Sequence, residues 1–109
     1  NTYQLSPAEC YLQRAIKFNP KDGISRMIYG ILFHKIGKKK EALKMYRSAQ
    51  PLAPDNAELN YNLALLLCEL KEYEEANELA QSLYKSKFPL NGLKNRLIKA
   101  KQWNEDLSP

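Results

Sequence analysis

The sequence predicts an all-α fold: an α-solenoid of antiparallel helix pairs, about six helices forming a single domain over 1–109. Three observations predict it. Shifting the chain by 34 residues places small residues on small and apolar on apolar. Ala8 falls on Ala42 and Ala76, Leu12 on Tyr46 and Ala80, Tyr29 on Leu63 and Leu97, and Phe33 on Leu67. A period of that length marks supersecondary units that bury their apolar stripes only against neighbouring units. Within each unit the apolar residues recur at three- and four-residue spacing, the period of a helix. Pro20, Gly37, Pro54 and Pro89 punctuate the pattern where helices must stop.

The elements follow in order. Ser6 at the N-cap and Pro7 at the first helical position open a helix that runs to about Phe18 and stops before Pro20. Asp22 caps the next helix, because a carboxylate accepts the orphan N–H groups of a first turn. Ile24, Met27, Ile28, Ile31, Leu32 and Ile36 give it an apolar stripe, and Gly37 supplies a turn at positive φ. A third helix covers Lys40 to Ala49. Pro51 predicts that it ends or kinks near Ser48–Gln50, since proline cannot donate and disfavours helix at the residue before it. Pro54 and Asp55 stop it and start a fourth helix, Glu58 to Leu70, with Asp55 as the capping residue. Lys71 then stands where Gly37 stood one repeat earlier, and a non-glycine residue at positive φ costs about 1 kcal/mol. Tyr73 to Lys85 is the fifth helix. Asn91-Gly92 reads as turn chemistry before a sixth, Asn91 to Trp103, which carries Leu93, Leu97 and Ile98.

Composition narrows the function classes. Of 109 residues, 44% are hydrophobic and 27% charged, ordinary values for a globular domain. The longest apolar run, Leu63 to Cys68, falls far short of the roughly 20 residues that span a bilayer, so no membrane insertion is expected. Asn1 to Ser6 contains no apolar signal-peptide core. The chain starts without Met, and we expect it to be part of a longer protein or a processed one. Cys10 and Cys68 make no disulfide framework and no glycosylation sequon occurs, so an intracellular, cytoplasmic setting is expected.

Charge is distributed in blocks. Arg14 to Arg47 holds ten Lys/Arg against two acids, a net +8. Asp55 to Glu78 holds seven acids against one Lys, a net −6. Lys85 to Lys101 holds six Lys/Arg and no acid, a net +6. The surface is expected to be bipolar, an acidic stripe between two basic ones.

No constellation for chemistry emerges. The one histidine, His34, and two distant cysteines form no metal-ligand spacing. Cys10 and Cys68 sit in apolar helical stretches, where a thiol is inert. There is no Gly-rich phosphate loop. Glu72, Glu74, Glu75 and Glu78 crowd one turn and helix, but an acid pair for glycoside hydrolysis needs an enclosed pocket. We therefore expect no enzyme, no cofactor and no small-molecule substrate.

The segment Gly30-x-x-Phe33…Gly37…Ala42-x-x-x-Tyr46-x-x-Ala49-x-x-x-x-Pro54 resembles a tetratricopeptide repeat. So does Leu63-Ala64-x-x-Leu67…Ala76-x-x-x-Ala80-x-x-Leu83. The resemblance implies full repeats at 23–56 and 57–90. It implies that 6–22 is the second helix of a preceding repeat and that 91–104 is a C-terminal capping helix. Arg26 and Asn60 depart from the Trp often found at their position.

The family's fold implies a concave groove lined by the first helix of each repeat, and hence an adaptor or assembly scaffold that binds a peptide or partner helix. The groove would show Met27, Ile28, Ile31, His34 and Lys35 from one repeat. The next would show Glu58, Tyr61, Asn62, Leu65, Cys68 and Glu69, and the last helix Asn95, Arg96 and Lys99. The strongest partner-binding candidates are Met27, Ile31, Lys35, Tyr61, Asn62, Leu65 and Arg96. One subtype of the family clamps the carboxylate of chaperone tails. Its positions are Met27, Ile31, Asn62, Gly92 and Arg96 here, and only Asn62 and Arg96 match, so such a clamp is not expected.

The alternative is a basic patch of Lys38, Lys39, Lys40, Lys44 and Arg47, in the Lys35–Arg47 region, that binds nucleic acid or an acidic partner. The adjacent acidic block and the lack of interleaved aromatics disfavour nucleic acid. Finally, if the first helix lacks its own repeat partner, Leu5, Tyr11, Leu12, Ile16 and Phe18 leave apolar surface bare. Self-association through that helix is then expected.

Overall fold

The computed structural model describes residues 7–103, with the side chain of Ala8 excepted. Six α-helices follow one another: α1 Pro7–Phe18, α2 Gly23–Lys35, α3 Lys39–Ala49, α4 Ala57–Glu69, α5 Tyr73–Lys85 and α6 Gly92–Lys99. No strand occurs among the described residues, so the all-α expectation holds. The chain divides into two compact units, 1–54 and 55–109. Ser6, Leu5 and the residues after Trp103 lie outside the described residues, as does the expected packing role of the Ala8 side chain.

In the first unit, α2 starts as its cap dictates. The Asp22 side chain accepts from the Ser25 N–H at 3.0 Å and from the Ser25 hydroxyl at 2.6 Å. These hydrogen bonds, the hydroxyl first, hold the Asp22 carboxyl below its ordinary pKa, because each favours the charged form. α2 and α3 pair across a short turn in which Gly37 takes φ +84°. They approach closely because Gly30 has no Cβ. One there would stand 2.7 Å from the ring of Tyr46, which is fully buried. Leu12, Met27, Ala42 and Ala49 are buried in the same unit. α3 stops at Ala49, and Gln50–Leu52 continue as a 3₁₀ turn carrying Pro51, at the place where proline forbids the next α-helical bond.

The second unit has a richer core: Leu59, Leu63, Leu66, Leu67, Leu93 and Leu97 are all fully buried, with Ala64, Ala76 and Ala80 as the small residues among them. Its first helix is capped by Asn56, not by Asp55 as the sequence suggested. Asn56 has the extended backbone of a cap, and its Oδ1 accepts from the Leu59 N–H at 2.9 Å. A residue one position earlier cannot reach that donor.

α6 is shorter than the expected Asn91–Trp103. It ends at Lys99 because Lys101 turns to φ +60°. Gln102 N–H then bonds to Leu97 O at 2.8 Å and Lys101 N–H to Ile98 O at 2.9 Å. That pair of bonds closes a helix and turns the chain away from its axis. The turn lays Trp103 edge-on to Tyr84, 6.1 Å between ring centroids, with the Lys94 ammonium 5.3 Å above the indole.

Candidate functional site

The structure separates the candidate groove residues into three kinds. Met27 is a core residue, only 4% exposed, and is corrected from the groove set. Met27 is buried, as are Gly23, Tyr29 and Gly30 of the same helix. Cys68 is buried as well, and burial pushes its thiol pKa up, while Arg96 pulls it down and Glu69 raises it. A protonated buried thiol is inert.

A second kind is partly exposed. On α2, Ile24 and Ile28 are exposed to 43% and 44%, Ile31 is half-buried and Lys35 is exposed. These residues, three to four apart, make one aliphatic stripe that ends in a cation. His34 is half-buried with its ring edge toward Tyr46, 6.5 Å between centroids. On α4, Asn62 and Leu65 are half-buried.

The third kind is already engaged within its own unit. Tyr61 packs its ring on Phe88, 5.0 Å between centroids, and its hydroxyl occupies the space where a side chain at Gly92 would begin. Asn62 Nδ2 donates to the Glu58 carbonyl at 2.9 Å. Arg96 pairs with Glu69 at 3.0 Å. A carboxylate clamp would need a lysine at Gly92, and a side chain there would have to displace the Tyr61 hydroxyl.

The basic patch surrounds the α2–α3 turn. Lys38 is half-buried with its ammonium 6.0 Å from the Phe33 ring centroid, while Lys39, Lys40, Lys44 and Arg47 are exposed. Lys40, Lys44 and Arg47 share one face of α3 by their spacing. No group of His, Cys, Asp and Glu that could hold a metal occurs among the described residues. None of the described helices is long and apolar enough to cross a membrane.

α1 differs from its expected role. Leu12, expected at a bare edge, is only 4% exposed, since it faces into the first unit, and is corrected accordingly. Tyr11 and Phe18 are exposed to 72% and 85%, and Ile16 is half-buried. Beside them lies an open cleft of about 610 Å³ that sequence reasoning missed, formed by α1, α2 and Met45 of α3. Its signal in the sequence was the spacing of Cys10, Arg14 and Lys17 along one face of α1. The other wall, Arg26 and Tyr29, comes from a different helix and could not be paired with that face from spacing alone. Gln13 Nε2 donates to the Tyr29 hydroxyl at 3.1 Å and joins the two walls.

A tetratricopeptide repeat family model matches residues 8–57 and again residues 37–89. No curated protein matches the chain. The matched segments hold the paired helices α2–α3 and α4–α5, with Gly30, Ala42 and Tyr46 of one pair standing at the spacing of Ala64, Ala76 and Ala80 of the other. The chain belongs to the tetratricopeptide repeat family.

Proposed function

We propose that this chain is an adaptor or scaffold module that binds a peptide or partner helix and performs no chemistry of its own. Repeats of this family generally mediate protein–protein interactions. The observation that carries the finer reading is the aliphatic stripe of α2. Ile24 and Ile28 stay more than two-fifths exposed although they belong to a helix whose opposite face is core. An apolar strip rimmed by Lys35 suits the apolar face of an incoming segment. On the second unit, Leu65 with Asn62 offers a smaller surface of the same character. Tyr61 acts there through Phe88 and Gly92 and shapes the surface more than it contacts a partner.

Peptides selected from a random display library on the wild-type chain test this reading. Ile28→Asp should weaken the selected peptides at least about tenfold, since one lost apolar anchor is worth on the order of 1.5–3 kcal/mol. The exposed site should leave the melting curve unchanged. Peptides that bind Ile28→Asp as well as wild type would place the binding surface elsewhere.

A further inference from the structure

We infer that the cleft between α1 and α2 is a second docking site, specific for an acidic protein segment that carries an apolar anchor. The cleft lies within the first unit and is separate from the α2 stripe. Its floor is the less exposed, apolar part of the lining: Ile16 of α1, Tyr29 of α2 and Met45 of α3. Its rim is cationic: Arg14 and Lys17, one turn apart on α1, and Arg26 across from them. Among the described residues no Asp or Glu lines it. Arg14 and Lys17 make no ion pair among the described residues, and both also line an adjoining hollow against the exposed Phe18. The Nε of Arg26 is tied to the Pro20 carbonyl at 3.1 Å, which fixes the guanidinium at the rim with its remaining N–H groups unspent.

Charge complementarity selects the occupant. Three cations that make no ion pair among the described residues, set around an apolar floor, favour a segment whose carboxylates meet the rim while an aliphatic or aromatic side chain fills the hollow. Guanidinium groups hold carboxylates in paired hydrogen bonds, and the apolar floor adds what a purely ionic surface lacks. A nucleic acid fits less well. Tyr29, the one ring in the floor, is stacked on Phe33 at 4.6 Å and has its hydroxyl held by Gln13, so neither its face toward Phe33 nor its polar end is available to a base.

The molecule carries its own reporter. Cys10, expected from the sequence to be a buried, inert thiol, is instead exposed and lines the cleft, whereas Cys68 is buried. Alkylation by iodoacetamide therefore reads occupancy of this cleft alone. The probe is a short synthetic peptide of Asp and Glu flanking a Phe–Leu pair, beside the same peptide with Ser in place of that pair, and an oligouridylate.

The Phe–Leu peptide should slow Cys10 alkylation, and its binding should weaken about tenfold between about 50 and 300 mM salt. Arg14→Glu with Lys17→Glu, both at exposed positions, should abolish the protection. The Ser peptide should protect at least about fivefold less well. Ile28→Asp should leave the protection intact, so failure of the α2 reading and failure of this one are told apart. Equal protection by the two peptides, or stronger protection by oligouridylate, overturns the proposal in favour of a general anion or nucleic-acid surface. Protection that grows with protein concentration without peptide overturns it in favour of a second copy of the chain. Unprotected Cys10 at saturating peptide overturns it outright.

Discussion

Lysine does unusual work at the residue scale. Four helices end in the same hydrogen-bonded turn, and the left-handed position in it is Gly37 after α2 but Lys71, Lys87 and Lys101 after α4, α5 and α6. At Lys71, for example, Glu72 N–H bonds to Leu67 O at 2.8 Å and Lys71 N–H to Cys68 O at 3.0 Å. The turn satisfies carbonyls that a helix end leaves without partners, and the Cβ at φ +63° is strained in return. A positive charge beside a helix C-terminus is favourable and offsets part of that strain. Lys71→Gly should therefore stabilise the chain by up to about 1 kcal/mol, less what glycine adds to the entropy of the unfolded state. Lys71→Ala keeps the Cβ and should give no gain. Urea melts of the three proteins check this, and a glycine variant with a lower midpoint than wild type would show that charge outweighs strain at this turn.

At the scale of elements, α6 depends on α5 for its beginning. Asn91 precedes it but makes no side-chain cap. The cap comes from the Tyr84 hydroxyl, which accepts from the Lys94 N–H at 3.1 Å and donates to the Leu90 carbonyl at 2.8 Å. Burial, the larger influence, raises the Tyr84 pKa, although the Lys94 N–H acts the other way. One side chain thus holds the loop and the first turn of α6 to α5. Asn77 does the same for the far end, donating to the Gln102 carbonyl at 2.6 Å. Tyr84→Phe keeps the ring against Trp103 and removes both bonds. It should cost about 1–2 kcal/mol, and amide exchange in α6 should quicken before that in α4. Unchanged exchange across α6 would mean that its buried Leu93 and Leu97 suffice to hold it.

On the scale of the whole molecule, the repeat makes two positions equivalent in different units. Ala42 and Ala76 stand 34 residues apart and are both fully buried. Each lets a helix approach its partner, and neither has room for a carboxylate. Ala42→Asp or Ala76→Asp should cost several kcal/mol, a large part of the roughly 5–15 kcal/mol that holds a small domain folded. Circular dichroism should show loss of helix at room temperature or a strongly lowered melting point for both. A well-folded Ala76→Asp protein would place Ala76 outside the packed layer and break the equivalence.

The sequence determined the helical class, the pairing period and most helix bounds, because these depend on spacing along one chain and on local turn chemistry. The Pro51 break, the Asp22 cap and the positive φ of Gly37 and Lys71 were legible for that reason. Asn56 displaced Asp55 because two adjacent residues can both cap in principle, and only the backbone path chooses between them. Met27 and Leu12 were misplaced for a related reason: the stripe of a helix shows which residues are apolar, while the neighbour that covers them decides which are buried. Tertiary structure alone decided that Tyr84 would cap α6, that Tyr61 would fill the space beside Gly92, and that Arg26 would face Arg14 and Lys17 across a cleft. Each of those joins residues from different helices, and no periodicity within one helix encodes the distance to another.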